Sequence, residues 1–222
     1  MKKILSIAMA MVLMFGLAAC GYGAENAPSE SGAPSESPAS ASPTPSGAES
    51  GASPATSDPA GGKVLVAYFS WSGNTGEMAS YIAEQTGGDL LEIQPETPYP
   101  TDYSECGEVA LAERDNGERP AIANLPESID EYQTILIGYP IWWHTAPMII
   151  GTFLESYDLT GKDVYPFTQS ASMDAGQFDN SIEFVRENAS NATVHDGLFA
   201  EPSDAEAIDA YLSENGLVKQ SA

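Results

Sequence analysis

Val64-Leu65-Val66-Ala67-Tyr68-Phe69-Ser70-Trp71-Ser72-Gly73-Asn74-Thr75 is the stretch whose reading decides the fold. Its first half, residues 64–69, is a continuous apolar run bounded by turn residues, which describes a buried strand. Beyond the turn, Met78, Ile82 and Thr86 recur at helical spacing, predicting a helix over 75–86. A strand, a hydroxyl-rich turn and a helix start make a cradle for an anion. The first N–H groups of the helix point outward and its dipole favours negative charge. Ser70, Ser72 and Thr75 add hydroxyl donors and Asn74 adds an amide. The turn has no Lys, so it is not the nucleotide loop G-x-x-x-x-G-K-[ST]. With only Gly73 and Gly76, it is not the dinucleotide fingerprint either.

Outward from this stretch, the chain's beginning reads as an export signal. Met1-Lys2-Lys3 precedes an apolar run from Ile4 to Ala19, too short and wrongly flanked for a mature membrane span. Leu17-Ala18-Ala19-Cys20 resembles a bacterial lipoprotein signal, which makes 1–19 the removed peptide and Cys20 the lipid-modified residue. From Cys20 to Gly62 the chain is mostly Ser, Ala, Pro and Gly, with too little apolar surface to offset chain entropy. It reads as a flexible tether. Cys106 is then the one other cysteine, so no intrachain disulfide is available and Cys106 reads as a semi-buried structural thiol.

Residues 63–222 have the length of one domain with a sizeable core. They carry six Lys and Arg against 27 Asp and Glu. Such an acidic surface excludes nucleic acid and anionic headgroups as partners and favours cationic ones. Strands are predicted at 64–69, 89–94, 134–138 and 163–168, with a short fifth within 193–200. Helices are predicted at 75–86, 102–114, 147–157, 180–188 and 204–214. Alternation of this kind implies an α/β domain, a doubly wound parallel sheet with helices on both faces, and five strands with the ligand loop after the first fit the order 2-1-3-4-5. Ligands bind such sheets beyond the C-terminal strand ends, where the order reverses. The loops after strands one, three and four should therefore converge.

The second of these loops holds Pro140-Ile141-Trp142-Trp143-His144, and adjacent tryptophans there suit the walls of a flat ring. His144 is placed to donate a hydrogen bond to such a ring. The third loop, 168–177, contributes Ser170, Ala171 and Ser172 as small polar positions. His195 is expected near a strand edge with no role. Two distant histidines and one thiol make no metal cluster.

Residues 63 to about 217 resemble the flavodoxin family, and within it the flavodoxin-like lipoproteins and short FMN proteins of anaerobic bacteria. The resemblance rests on residues 64–75, on Gly87-Gly88-Asp89-Leu90-Leu91-Glu92-Ile93, on Pro98-Tyr99-Pro100, on 137–143, and on Ala146-Pro147 with Thr152-Phe153-Leu154-Glu155. It implies a flavodoxin-like fold and non-covalent FMN. By position it implies phosphate ligands at Ser70, Ser72, Asn74 and Thr75, with backbone from Trp71, Gly73 and Gly76. The ring loops are then Pro140 to His144 and Ser170 to Ser172. Relatives tend to have Gly at the place of His144 and a Gly-Gly pair at Ala171-Ser172.

The function implied is electron transfer or oxidoreduction by an FMN protein held by lipid at the outer face of the cell membrane. No side-chain acid, base or nucleophile is required. Its redox partner is a protein or a small-molecule acceptor. Two alternatives stay open at this point: an NAD(P)H-dependent quinone-type reductase, and a binding lipoprotein with a degenerate flavin site.

Overall fold

The computed structural model describes residues 62–171 and 174–219. The export signal, Cys20, the tether, Ser172 and the last three residues lie outside the described residues. In chain order the elements are β1 (Lys63–Tyr68), α1 (Asn74–Thr86), β2 (Asp89–Glu92), α2 (Tyr103–Asn116), β3 (Tyr132–Pro140), α3 (Met148–Glu155), β4 (Asp163–Gln169), α4 (Ala175–Asn188), β5 (Thr193–Val194), β6 (Leu198–Phe199) and α5 (Ala205–Glu214). The strands form one parallel sheet in the order β2-β1-β3-β4-β5, with β6 also on β4. This is the expected order, and β1 and β3 lie side by side at its reversal.

The period of two along each strand divides the core between the faces. Leu65, Ala67, Ile135, Ile137 and Val164 pack with Ile149, Phe153 and Val185 from α3 and α4. The intervening residues Val66, Leu136, Tyr165 and Phe167 pack with Met78, Ile82, Ile208 and Leu212 from α1 and α5. The β3 run is buried throughout its centre because helices cover both faces. α2 lies beside α3 and buries only Cys106, Ala110 and Glu113. Arg119, just beyond α2, ties this helix end to α3 and α4 through Glu155 (2.7 Å) and Asn188 (2.8 Å).

Three differences from the sequence expectation have an identifiable cause or consequence. The fifth strand is two short strands. β5 pairs Val194 with Val164 and β6 pairs Leu198 with Phe167, so the intervening segment holds one residue more than β4 does. Opposite this bulge lies Pro166, which has no N–H to give the ladder. Second, α4 starts at Ala175, not Asn180, because Asp174 accepts from the Gln177 N–H at 3.0 Å and caps it. Third, β3 runs on to Pro140, so the ring loop begins later than expected. Cys106 is more buried than expected, at 4% exposure. His195 stands by the sheet edge as expected, but it is not without partners. Its ring stacks on Tyr165 at 4.1 Å and its Nε2 meets Asp163 Oδ1 at 2.8 Å.

Candidate functional site

β1 delivers the chain to the C-terminal edge of the sheet, and the Ser-rich turn follows. Ser70 Oγ accepts from the N–H groups of Gly73 (3.1 Å) and Gly76 (3.2 Å). The hydroxyl thus folds the turn, and those two amides are engaged within it. Gly73 caps α1 with φ 92°, a left-handed conformation that glycine adopts freely, and no side chain caps the helix. The first-turn N–H groups of Asn74 and Thr75 have no acceptor within the helix. Thr75 is 1% exposed, and its Oγ1 is buried without a hydrogen-bond partner. An orphaned buried hydroxyl costs about 1–3 kcal/mol. An anionic group at this helix start would relieve that cost and meet the free amides as well. The residues present therefore fit a phosphate.

The ring loop leaves β3 and turns back on itself at once. Trp142 N donates to Thr145 O (2.9 Å) and Thr145 N to Trp142 O (3.1 Å). Trp143 (φ 49°) and His144 (φ 67°) form the two-residue tip, both left-handed. This is the conformation of turns that favour Asn and Gly, and it costs bulky residues about 1–2 kcal/mol each. His144→Gly is expected to stabilise the domain by about 0.5–1 kcal/mol, read as a higher urea midpoint at unchanged slope.

The two tryptophans do different jobs, which adjacency in sequence does not reveal. Trp142 stands edge-on to Phe69 (5.3 Å) and Tyr99 (5.1 Å) and joins the core. Trp143 swings outward onto α2. Its Nε1 donates to Gly107 O (2.7 Å), and it remains 44% exposed. Arg114 donates to Trp143 O (3.0 Å) and its guanidinium lies over the indole at 5.9 Å. Trp142→Ala should cost about 3 kcal/mol of stability. Trp143→Ala should cost about 1 kcal/mol and act on the site alone. Chemical denaturation of the two variants checks the contrast.

Together these loops enclose a cleft of about 720 Å³. Its lining takes Trp71, Ser72 and Asn74 from the first turn, all five residues from Pro140 to His144, and Ser170 and Ala171 from the third loop. Ser70, Gly73 and Gly76 shape the turn from behind, and Thr75 Oγ1 lies buried in the first turn of α1. The opposite wall is α2, with Tyr103, Cys106, Gly107, Glu108 and Ala110. The sequence reading did not include this wall. Its signal was the run of small residues Cys106, Gly107 and Ala110 at helical spacing, which leaves a shallow face where an apolar stripe would fill it. Ser104, Gln169 and Gln177 complete the lining and were also missed. Trp71 adds its ring to the wall, anchored by its Nε1 donating to Pro100 O at 2.9 Å. Among the described residues no group of His, Cys, Asp and Glu is arranged to hold a metal.

Beneath the wall lies a buried pair. Tyr99 donates to Glu113 Oε2 at 2.8 Å. Burial first, then the Glu113 charge, raises the Tyr99 phenol far above its usual range. Burial likewise raises the Glu113 carboxyl, partly offset by the Tyr99 hydrogen bond. The Cys106 thiol is pushed up by burial and then by Glu113, so it is held neutral. A carboxyl whose pKa is raised on folding gives its full stability below its unfolded value and loses it as pH rises through the folded one. Glu113→Gln keeps an acceptor for Tyr99. It should therefore match the parent in stability below about pH 4.5 and exceed it increasingly above that, as thermal midpoints across pH would show.

Comparison with known proteins agrees with this architecture. The family described as Flavodoxin matches residues 63–215. A protein of Bacteroides eggerthii DSM 20697, provisionally described as a flavoprotein, is 36% identical with a TM-score of 0.63, over 71% of this chain and 99% of that one. A similarly described protein of Bacteroides uniformis ATCC 8492 is 36% identical with a TM-score of 0.63, over 69% and 99%. A flavoprotein of Lactobacillus acidophilus NCFM, solved in complex with FMN, is 26% identical with a TM-score of 0.57, over 67% and 99%. No curated protein is similar to the chain at a significant level. With the doubly wound sheet, the Ser-rich turn at its reversal and a family match that spans the domain, the chain belongs to the flavodoxin family.

Proposed function

We propose that this protein binds FMN non-covalently and works in electron transfer, anchored by lipid to the outer face of the cell membrane. The observation that carries the cofactor is Thr75 Oγ1, buried and unpartnered in the first turn of α1. Thr75 Oγ1, the amides of Asn74 and Thr75, and the side chains of Ser72 and Asn74 would hold the phosphate. Pro140 to His144 and Ser170 to Ala171 would hold the ring, with Trp142 fixed by Phe69 and Tyr99. Bound FMN supplies one- and two-electron redox chemistry, while the protein supplies position and electrostatics.

The chain's own contribution to the redox couple is its charge. The sequence carries a formal net charge of −24. Glu108 lines the cleft, and no Lys or Arg does so among the described residues. These surroundings oppose added negative charge in the cleft and so favour a low potential. They also oppose a polyanionic pyridine nucleotide, which makes electron transfer the better reading than NAD(P)H-dependent reduction.

FMN titration followed by quenching of flavin and tryptophan fluorescence tests the reading. Saturable binding at micromolar affinity or tighter is expected. A folded protein that leaves flavin emission unchanged would mean a degenerate site and a binding lipoprotein. The location rests on Leu17-Ala18-Ala19-Cys20 and on the tether composition. Mass spectrometry of the membrane-extracted protein should find a diacylglyceryl group on an N-terminal Cys20, and Cys20→Ser should release the protein from the membrane. Retention of that variant on the membrane would sink the anchor.

A further inference from the structure

Among the described residues, few large apolar side chains stay exposed, and two of them stand on the rim of the cleft. Tyr103 is 81% exposed at the start of α2, and Trp143 is 44% exposed at the tip of the ring loop. Tyr103 lies 6.3 Å from Trp71 at a tilted 59°, and Trp71, Tyr103 and Trp143 all line the same cleft. Apolar side chains grouped at a groove and rimmed by polar residues mark a ligand-binding surface. The core has no use for Tyr103, because it lies outside both packed clusters.

The carboxylates around this rim outnumber its cations. Glu108 lines the cleft and Glu105, one turn earlier on α2, is exposed beside it. Arg114, whose guanidinium lies over the Trp143 indole at 5.9 Å, is paired with Asp115 at 2.6 Å. An aromatic rim with unpaired carboxylates attracts positive charge by two routes that add. Ring faces attract cations, and carboxylates steer them inward.

We propose that the rim formed by Tyr103, Trp71 and Trp143 with Glu108 binds a planar aromatic cation at the mouth of the cleft. This names the ligand class that the site takes from solution. It rests on the flavin reading only for the claim that the ligand sits beside FMN. Stacking on a tyrosine or tryptophan face together with a cation–π contribution is worth about 1–2 kcal/mol when desolvated, which is about five- to thirtyfold in affinity.

The test is calorimetric titration of the full chain, loaded with oxidised FMN, with methylene blue as the cationic probe and anthraquinone-2-sulfonate as an anion of similar shape. Saturable binding of methylene blue is expected, with the sulfonate about tenfold weaker or undetected. Tyr103→Ala should weaken methylene blue by about tenfold, and Glu108→Gln should flatten its dependence on salt. A urea midpoint close to the parent's in both variants shows that the domain is still folded. Equal affinity for the two dyes, or methylene blue binding unchanged in both variants, overturns the proposal. If the chain takes up no FMN, the flavin reading fails by itself. The same titration of the FMN-free chain then decides the rim, since every residue of the rim belongs to the protein.

Discussion

Thr75→Val is expected to make the FMN-free protein more stable and the FMN complex weaker. The reasoning starts from one atom. Thr75 Oγ1 is buried and has no hydrogen-bond partner. Valine keeps the branched shape and removes the polar group, so the desolvation cost disappears. The gain in stability should be about 1 kcal/mol, read from urea denaturation. In the complex the same hydroxyl would donate to a phosphate oxygen. Hydrogen bonds to charged groups are worth about 1.5–3 kcal/mol, so affinity should fall by about ten- to a hundredfold. Thr75→Ser keeps the hydroxyl and should bind FMN nearly as well as the parent. A valine variant with lowered stability and full affinity would show that the hydroxyl serves packing and not the phosphate.

Gly138→Ala is expected to cost about 3 kcal/mol of stability or more, because there is no room for a methyl group. A Cβ on Gly138 would lie 2.2 Å from Phe167 Cζ and 2.3 Å from its Cε2. Gly138 and Phe167 face each other across β3 and β4, and Phe167 is fully buried. Neither strand can yield, since β3 is clamped between β1 and β4. The damage should reach the site too. Gly138 O accepts from the Phe69 N–H at 2.9 Å, immediately before the Ser-rich turn. Adding Phe167→Leu should recover part of the loss, because the two changes share one space. A Gly138→Ala variant within about 0.5 kcal/mol of the parent would show that the ring has another place to go.

Much of this was legible before any coordinates. The apolar run at 64–69 falls on β1, and alternation implied a parallel sheet with helices on both faces. The failures have local causes. α4 starts five residues early because Asp174 is a helix cap, a signal present in the sequence and overlooked. The split of the fifth strand follows from Pro166 on a neighbouring strand, and no reading of residues 193–200 alone contains it.

The site divides in the same way. Residue types and their order determined that a hydroxyl-rich turn opens a helix, that an aromatic loop follows the third strand, and that the domain is strongly acidic. These are properties of neighbours in the chain, governed by periodicity, capping and charge. Only the tertiary structure decided that Trp142 turns into the core while Trp143 turns onto α2, that α2 forms the second wall, and that Ser70 is engaged within its own turn while Thr75 is left unpartnered. Each of these depends on which groups from distant segments reach one another first. That competition for partners is settled by packing across the sheet, where sequence distance carries no information.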